Sequence, residues 1–418
     1  MSQGSVVIIG AGIIGAWSAY FLSRSGWQVT ILDQGGFGKG CSHGNCGYVS
    51  PSHVLPIPGP KTIRTAIRAL LQPNGPFKIR FRFDPALWSW MYRFLRRCNY
   101  HDMIQAGHAL NPLLQSSREL FEQIIRDEKL DCEWQARGLI LVFRTTKGME
   151  EYAETDKLLS DTYGVPAKRL DEDELTAFEP ALKPGLGGGW LYDMDAHLRP
   201  DRFMAEMRRV LSERGVTILE GKTFREFRRA GRQAEAAVTD HGELRADAFV
   251  IATGAWTPRF RNQLGCVIPI EPGKGYSITM GKPSRCPQVP LIFEEHRVAV
   301  TPMVSAYRLG STMEFAGYDA TLRRDRLDLL KLGAATYLQE PVGEPITEEW
   351  FGWRPMTPDG VPMIGPSPRL GNVLIAAGHN MIGLATGSGT GRLVAELLTG
   401  QPPHLDPQPY NPARFGTL

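Results

Sequence analysis

The sequence predicts an α/β protein in which a parallel-sheet domain is interleaved with a second, α+β domain. Three observations predict it. A β-branched run, Val6-Val7-Ile8-Ile9, leads straight into Gly10-Ala11-Gly12-Ile13-Ile14-Gly15. In mid-chain a second apolar run, Ala248-Phe249-Val250-Ile251, ends on the small turn Ala252-Thr253-Gly254. Near the C-terminus a third, Val373 to Ala376, ends on Gly378-His379-Asn380-Met381-Ile382-Gly383. Continuous apolar runs of this length suit parallel strands buried on both faces. Strand-then-glycine units at both ends and in the middle imply that other material is inserted between them.

The first unit justifies itself residue by residue. Gly10 permits the tight turn, Gly12 lets backbone approach a pyrophosphate, and Gly15 lets helix and strand pack closely. A helical pattern follows through Ile14, Trp17, Ser18, Phe21 and Leu22 and stops at Gly26. Its N-terminus offers unpaired N–H groups and a positive dipole end to phosphates. Val29-Thr30-Ile31-Leu32 reads as the second strand, ending in Asp33-Gln34. A carboxylate about twenty residues on from the turn is placed to accept from a ribose hydroxyl. A lone G-x-G-x-x-G is weak; strand, turn, helix, strand and terminal acid in order make a dinucleotide site. The unit alone does not separate FAD from NAD, since both present ribose and pyrophosphate to the same turn.

Residues 35–60 are rich in Gly, Ser and Pro, and small residues suit close backbone approach to a flat ligand. Asp84 to Cys98 reads as an amphipathic helix, with Trp88, Trp90, Met91, Phe94 and Leu95 among Arg93, Arg96 and Arg97. Such a face packs on its own domain with snorkelling arginines or lies on an anionic membrane surface. Helical patterns continue at 108–128 and 150–163, with a strand at 138–143 between them. A helix is expected from Asp201 to Arg214 and a strand from Val216 to Leu219. Residues 266–345 read as strands and turns, and 353–360 as a turn-rich segment.

Composition bounds the function. The 418 residues, 42% hydrophobic and 22% charged, describe an ordinary globular chain. A net charge of +3, from 47 basic and 44 acidic residues, is too even to argue for a nucleic-acid partner. Cys41, Cys46, Cys98, Cys132, Cys266 and Cys286 form no C-x-x-C pair or zinc-type cluster, so no metal is expected. Reduced thiols point to a cytoplasmic location. No apolar run approaches the roughly 20 residues that a spanning helix needs.

Several separated motifs agree with one family: VVIIGAGIIG through ILD (6–33), CSHGNCGYVSPSHVLP (41–56), IATGAW (251–256), WRPMTPDGVPMIG (353–365) and GHNMIGLATGSG (378–389). On these the chain resembles the FAD-dependent amine and amino-acid oxidoreductases of the D-amino-acid oxidase and glycine oxidase type. Within them it looks most like bacterial D-amino-acid and D-hydroxyproline dehydrogenases.

The resemblance implies a Rossmann-like FAD-binding domain of residues 1–60, 198–265 and 350–418, interleaved with an α+β substrate-binding domain of 61–197 and 266–349. It places the ADP half of FAD on Gly10, Gly12, Ile14 and Gly15, with Asp33 and Gln34 at the ribose. Ser42, Asn45, Cys46 and Gly47 run beside the ribityl chain and ring, and Thr253 and Gly254 close over the ADP end. Gly378, Met381, Gly383 and Leu384 line the pyrimidine edge. Arg354, on the turn after Trp353, is expected to clamp a substrate carboxylate. His379 and His53 are each a candidate proton acceptor for the substrate ammonium, or a neutral packing residue.

Relatives of the sarcosine-oxidase type tether flavin through a cysteine where Gly352 stands, so FAD is expected to be non-covalent. Relatives of the glycine-oxidase type carry an arginine near Met381 and a tyrosine near Val298; their absence disfavours glycine and sarcosine. The implied reaction is oxidative deamination of a small D-amino acid. Its electrons pass to a quinone or partner protein, with at most peripheral contact on the inner face of the membrane. The rival readings are an NAD-dependent dehydrogenase, the FAD domain of a tRNA-modifying protein, and a flavin-binding subunit inactive without partners.

Overall fold

The apolar run that opens the chain becomes the strand Ser5–Ile9 and takes an interior place in a six-stranded sheet. The computed structural model describes residues 3–60, 62–63, 75, 77–80 and 82–418. Across the sheet the order is Met363–Pro366, Val373–Ala377, Ala248–Ile251, Ser5–Ile9, Gln28–Leu32, Thr217–Leu219. Every pairing is parallel except the outermost, between Met363–Pro366 and Val373–Ala377.

The unbroken β-branched run follows from burial on both faces. Val6 and Ile8 face a helical layer that includes Trp17, Leu113, Phe121 and Leu393. Val7 and Ile9 face the opposite core, with Phe224, Phe227 and Ile268. That second cover is an antiparallel meander of Phe224–Ala230, Gln233–Thr239 and Gly242–Arg245. Close helix packing over the first face depends on Gly391, where a Cβ would lie 2.5 Å from the Trp17 carbonyl carbon.

Among the described residues the other body is a nine-stranded mixed sheet. Its main path runs Ile346–Met356, Glu271–Met280, Tyr307–Phe315, Val298–Pro302, Leu291–Phe293, Leu139–Phe143, Gly188–Tyr192, Lys168–Leu170, and Phe77–Ile79 adds beside Tyr307–Phe315. Both sheets draw strands from distant parts of the chain, as interleaving requires.

The expected helices appear as Pro85–Arg97, Tyr100–Asp127, Thr146–Tyr163 and Pro200–Glu213. Two expectations are corrected. Residues 266–345 are not all strand and turn, because Arg324–Tyr337 is a helix whose Leu327, Leu330, Ala334 and Tyr337 pack on the large sheet. The segment around Arg354 is not a turn: it ends the 11-residue strand Ile346–Met356, paired along its length with Glu271–Met280. The large sheet therefore extends to Met356, past the boundary expected at 350.

Candidate active site

A cavity of about 1630 Å³ runs from the N-terminal glycine turn to the large sheet. Its lining includes Gly10, Gly12, Ile14, Asp33, Gln34, Thr253 and Gly254, together with Arg354 and His53. Ser42, Asn45, Cys46, Gly47, His379, Met381, Gly383 and Leu384 also line it. Gly378 does not contribute to the lining. It turns the chain at φ 78°, and a Cβ there would meet Thr357 Cγ2 at 2.6 Å.

At Gly10 and Gly15 the turn has no room for a side chain. A Cβ on Gly10, whose φ is 113°, would lie 2.3 Å from the Ala252 carbonyl oxygen, and one on Gly15 would lie 1.9 Å from that of Gly10. Asp33 accepts from Ala11 N–H at 2.8 Å and Gly35 N–H at 2.7 Å, which fixes its carboxylate beside the turn. The first helix, Ile13–Arg24, has no side-chain cap of its own; Ser42 Oγ accepts from Ile13 N–H at 2.9 Å.

The loop after the second strand is fastened by the large sheet. Three successive carbonyls accept from it: Gly44 from Ser277 Oγ at 2.7 Å, Asn45 from Arg308 at 2.7 Å, and Cys46 from Thr301 Oγ1 at 2.7 Å. Asn45 is spent on the loop itself, accepting from Gly47 N–H at 2.9 Å and donating to Cys41 O at 3.1 Å. Gly310 sits under Cys46, where a Cβ would come within 2.6 Å of Sγ. Arg308 is 1% exposed and also bonds Thr279 Oγ1. None of Ser277, Thr301 and Arg308 stands out in sequence, because their partners are more than 200 residues away.

Arg354 has a distinctive environment. Its Nη1 donates to Thr312 O at 2.8 Å and Nη2 to Ser311 O at 3.3 Å. Among the described residues no carboxylate pairs with it, and burial pulls its pKa below the usual arginine value. The two carbonyls are aimed by a bulge with left-handed backbone, φ 107° at Ser311 and 37° at Thr312. Non-glycine residues there cost of order 1–3 kcal/mol each, a strain that clusters at ligand sites. Thr312 Oγ1 is buried with no hydrogen-bond partner among the described residues.

The two candidate histidines differ. His379 is 2% exposed, its Nε2 lies 3.1 Å from Thr390 Oγ1, and burial pushes its pKa down to about 3. The next residue, Asn380, ties this segment to the one after Arg354, accepting from Thr357 N–H at 2.8 Å and donating to Gly360 O at 2.8 Å. His53 faces the cavity, with Nδ1 3.3 Å from Ser52 Oγ, and burial lowers its pKa to about 4.

Comparison with known proteins agrees with this geometry. The model of the FAD dependent oxidoreductase family matches residues 5–397. A D-amino acid dehydrogenase of Granulibacter bethesdensis is 34% identical over 420 residues, covering 98% of this chain and 99% of the relative. One from Vibrio vulnificus is 30% identical over 401 residues, 94% and 96% of the two chains. Among solved structures, glycine oxidase from Geobacillus kaustophilus superposes with a TM-score of 0.81 at 21% identity, over 99% of both chains. L-proline dehydrogenase from P.horikoshii does so at 0.73 and 19%, over 99% and 98%. The glycine turn, the anchored loop and the long cavity provide for FAD, and the chain belongs to the FAD dependent oxidoreductase family, with the fold of glycine oxidase.

Proposed function

We propose that this enzyme oxidises small D-amino acids. The observation that carries the reading is Arg354: a buried guanidinium on the cavity wall, held by two carbonyls, with no carboxylate partner among the described residues. A planar fork so held is matched by a substrate carboxylate, which it pairs at both oxygens. Fixing the carboxylate fixes the direction in which the Cα–H points, and positioning of this kind accounts for much of the rate in such reactions. When bound, FAD supplies the acceptor for the Cα hydride, leaving an imino acid that water hydrolyses to a 2-oxo acid and ammonia, or a cyclic imine from D-proline or D-hydroxyproline.

The residues of the chain divide the remaining work. The Gly10–Gly15 turn and helix Ile13–Arg24 take the pyrophosphate and Asp33 the ribose, while the 42–47 loop and the 379–384 segment flank the ring. His53 receives the ammonium proton from the cavity side. His379, bonded to Thr390, holds its segment in place. The preference for the D-form rests on the relatives named above.

Electrons leave to a quinone or other acceptor at a membrane surface. Among the described residues no helix is long and apolar enough to cross a bilayer. Helix Pro85–Arg97 buries Leu87 and Trp90, and Trp90 Nε1 donates to Met356 O at 2.8 Å. Its other face exposes Trp88, Tyr92 and Leu95 beside Arg96 and Arg97. Aromatic and basic groups on one face suit the headgroup region of an anionic bilayer. Co-sedimentation with phosphatidylglycerol vesicles, lost in Tyr92→Ser/Leu95→Ser, is the expected result; equal binding to neutral vesicles would count against it.

The test of the main reading is the flavin spectrum under anaerobic addition of single amino acids. Bleaching by D-alanine or D-proline and not by the L-forms is expected. A yellow protein that no amino acid bleaches would overturn the reading and favour a partner-dependent subunit.

A further inference from the structure

A carboxylate lies hidden one hydroxyl behind the cavity wall. Asp195 is 0% exposed; its Oδ1 accepts from Ser52 N–H at 3.1 Å and its Oδ2 from the Ser52 hydroxyl at 2.5 Å. Ser52 Oγ lies 3.3 Å from His53 Nδ1. Ser52 and His53 line the cavity that holds Arg354, and Asp195 does not.

Hydrogen-bond bookkeeping then fixes the chemistry. A hydroxyl has one proton, and here it goes to the carboxylate. The contact with His53 is a hydrogen bond only if Nδ1 carries the hydrogen and donates to Ser52. That leaves Nε2, which has no hydrogen-bond partner among the described residues, as an open acceptor. If Asp195 is protonated, the chain reverses: the carboxyl donates to Ser52, Ser52 donates to Nδ1, and the hydrogen of His53 moves to Nε2. The ionisation of Asp195 and the tautomer of His53 are two readings of one state.

We propose that Asp195, acting through the Ser52 hydroxyl, sets the tautomer of His53 and is the final holder of the proton shed by the substrate ammonium. This rests on the amine-oxidation reading above. The substrate N–H proton passes to His53 Nε2, the Nδ1 proton to Ser52 Oγ, and the Ser52 proton to Asp195 Oδ2. One proton leaves the nitrogen, one carboxylate becomes a carboxyl, and imidazole and hydroxyl end neutral.

The electrostatics favour that direction. Burial holds the imidazole near pKa 4, so it stays neutral between transfers, while burial pushes the Asp195 carboxyl up to about 7. A carboxylate tuned to that range suits a general base at neutral pH. The other groups facing Asp195 are Ser50, Arg118 from helix Tyr100–Asp127, and Tyr192, whose hydroxyl is 2.8 Å from that of Tyr152. Arg118 favours the ionised carboxylate and is itself bonded to Met194 O. Asp195 and Ser52 are thus positioning residues for His53.

The test needs no substrate. In FAD-loaded protein with ¹⁵N-labelled histidine, assigned by His53→Gln, His53 should be the Nδ1–H tautomer at high pH. It should switch to Nε2–H at low pH, with a midpoint near 7. Ser52→Ala should abolish the switch and Ser52→Thr restore it. One tautomer throughout, or a switch that survives Ser52→Ala, overturns the proposal. Failure of the amine reading shows separately, as absence of bleaching. Where a D-amino acid does bleach the flavin, the acid limb of the rate should lie near pH 7 and vanish in Asp195→Asn, with at least a tenfold loss at about pH 8. A wild-type profile in Asp195→Asn also overturns the proposal.

Discussion

Replacing Arg354 with methionine keeps an unbranched apolar stem and removes the charge and the fork. A substrate carboxylate entering the cavity would then be buried without its partner, which costs about 3–5 kcal/mol. At about 1.4 kcal/mol per tenfold, kcat/KM should fall between about 150- and 5,000-fold. Arg354→Lys should fall between, since a point charge attracts a carboxylate but does not pair both oxygens. The fold should respond differently. The variant loses two bonds to Thr312 and Ser311 but also a desolvated cation with no anionic partner among the described residues, so its unfolding midpoint should hold or rise. The assay is anaerobic stopped-flow bleaching over a range of substrate concentrations, with the Kd of an unreactive carboxylate measured alongside. Methionine within threefold of wild type in both readouts would refute the reasoning. So would a variant that unfolds early and binds the carboxylate normally.

Asp33→Ala removes the acceptor for Ala11 and Gly35 N–H together with the expected ribose contact, and should weaken FAD retention by about 10- to 100-fold, read by flavin fluorescence after gel filtration. Gly15→Ala forces a Cβ to 1.9 Å from Gly10 O and should abolish bound flavin, whereas Gly40→Ala, with nothing within 4 Å, should keep it. The Asp195 carboxyl is raised from 3.8 to about 7 on folding, so its favourable contribution is complete below pH 3.8 and is lost as pH rises through 7. The ionised form should cost up to about 4 kcal/mol, and denaturant midpoints of Asp195→Asn should gain on wild type between about pH 4 and 7.5.

What sequence makes legible here is local, and what it hides is long-range. Val6 to Asp33 carries its whole meaning in one stretch, because strand, turn, helix and acid contact each other. The helix Arg324–Tyr337 had a usable signal, Leu327, Leu330, Ala334 and Tyr337 at helical spacing, masked by the strands on either side. Arg354 reads as a turn residue from its neighbours Pro355 and Pro358, yet the strand continues to Met356, with Gly273 opposite Arg354 and Gly275 opposite Gly352. At Gly275 a Cβ would lie 2.3 Å from the guanidinium carbon, so the glycine makes the berth for the arginine. Ser277, Thr301, Arg308 and Asp195 could not be singled out, since each acts on a loop remote in sequence.

The order of strands in the smaller sheet has a consequence for how the chain is born. Ser5–Ile9 finds one neighbour early, in Gln28–Leu32, but its other neighbour is Ala248–Ile251, whose own outer flank waits for Val373–Ala377. A ribosome delivering the chain from its N-terminus therefore completes the cofactor turn long before anything can brace it from behind. Contacts of such long sequence separation form slowly, and an unpaired parallel edge invites aggregation in the interval. Until Val373–Ala377 has been made, the cofactor turn stands beside an incomplete sheet, and chaperones should raise the yield of folded enzyme.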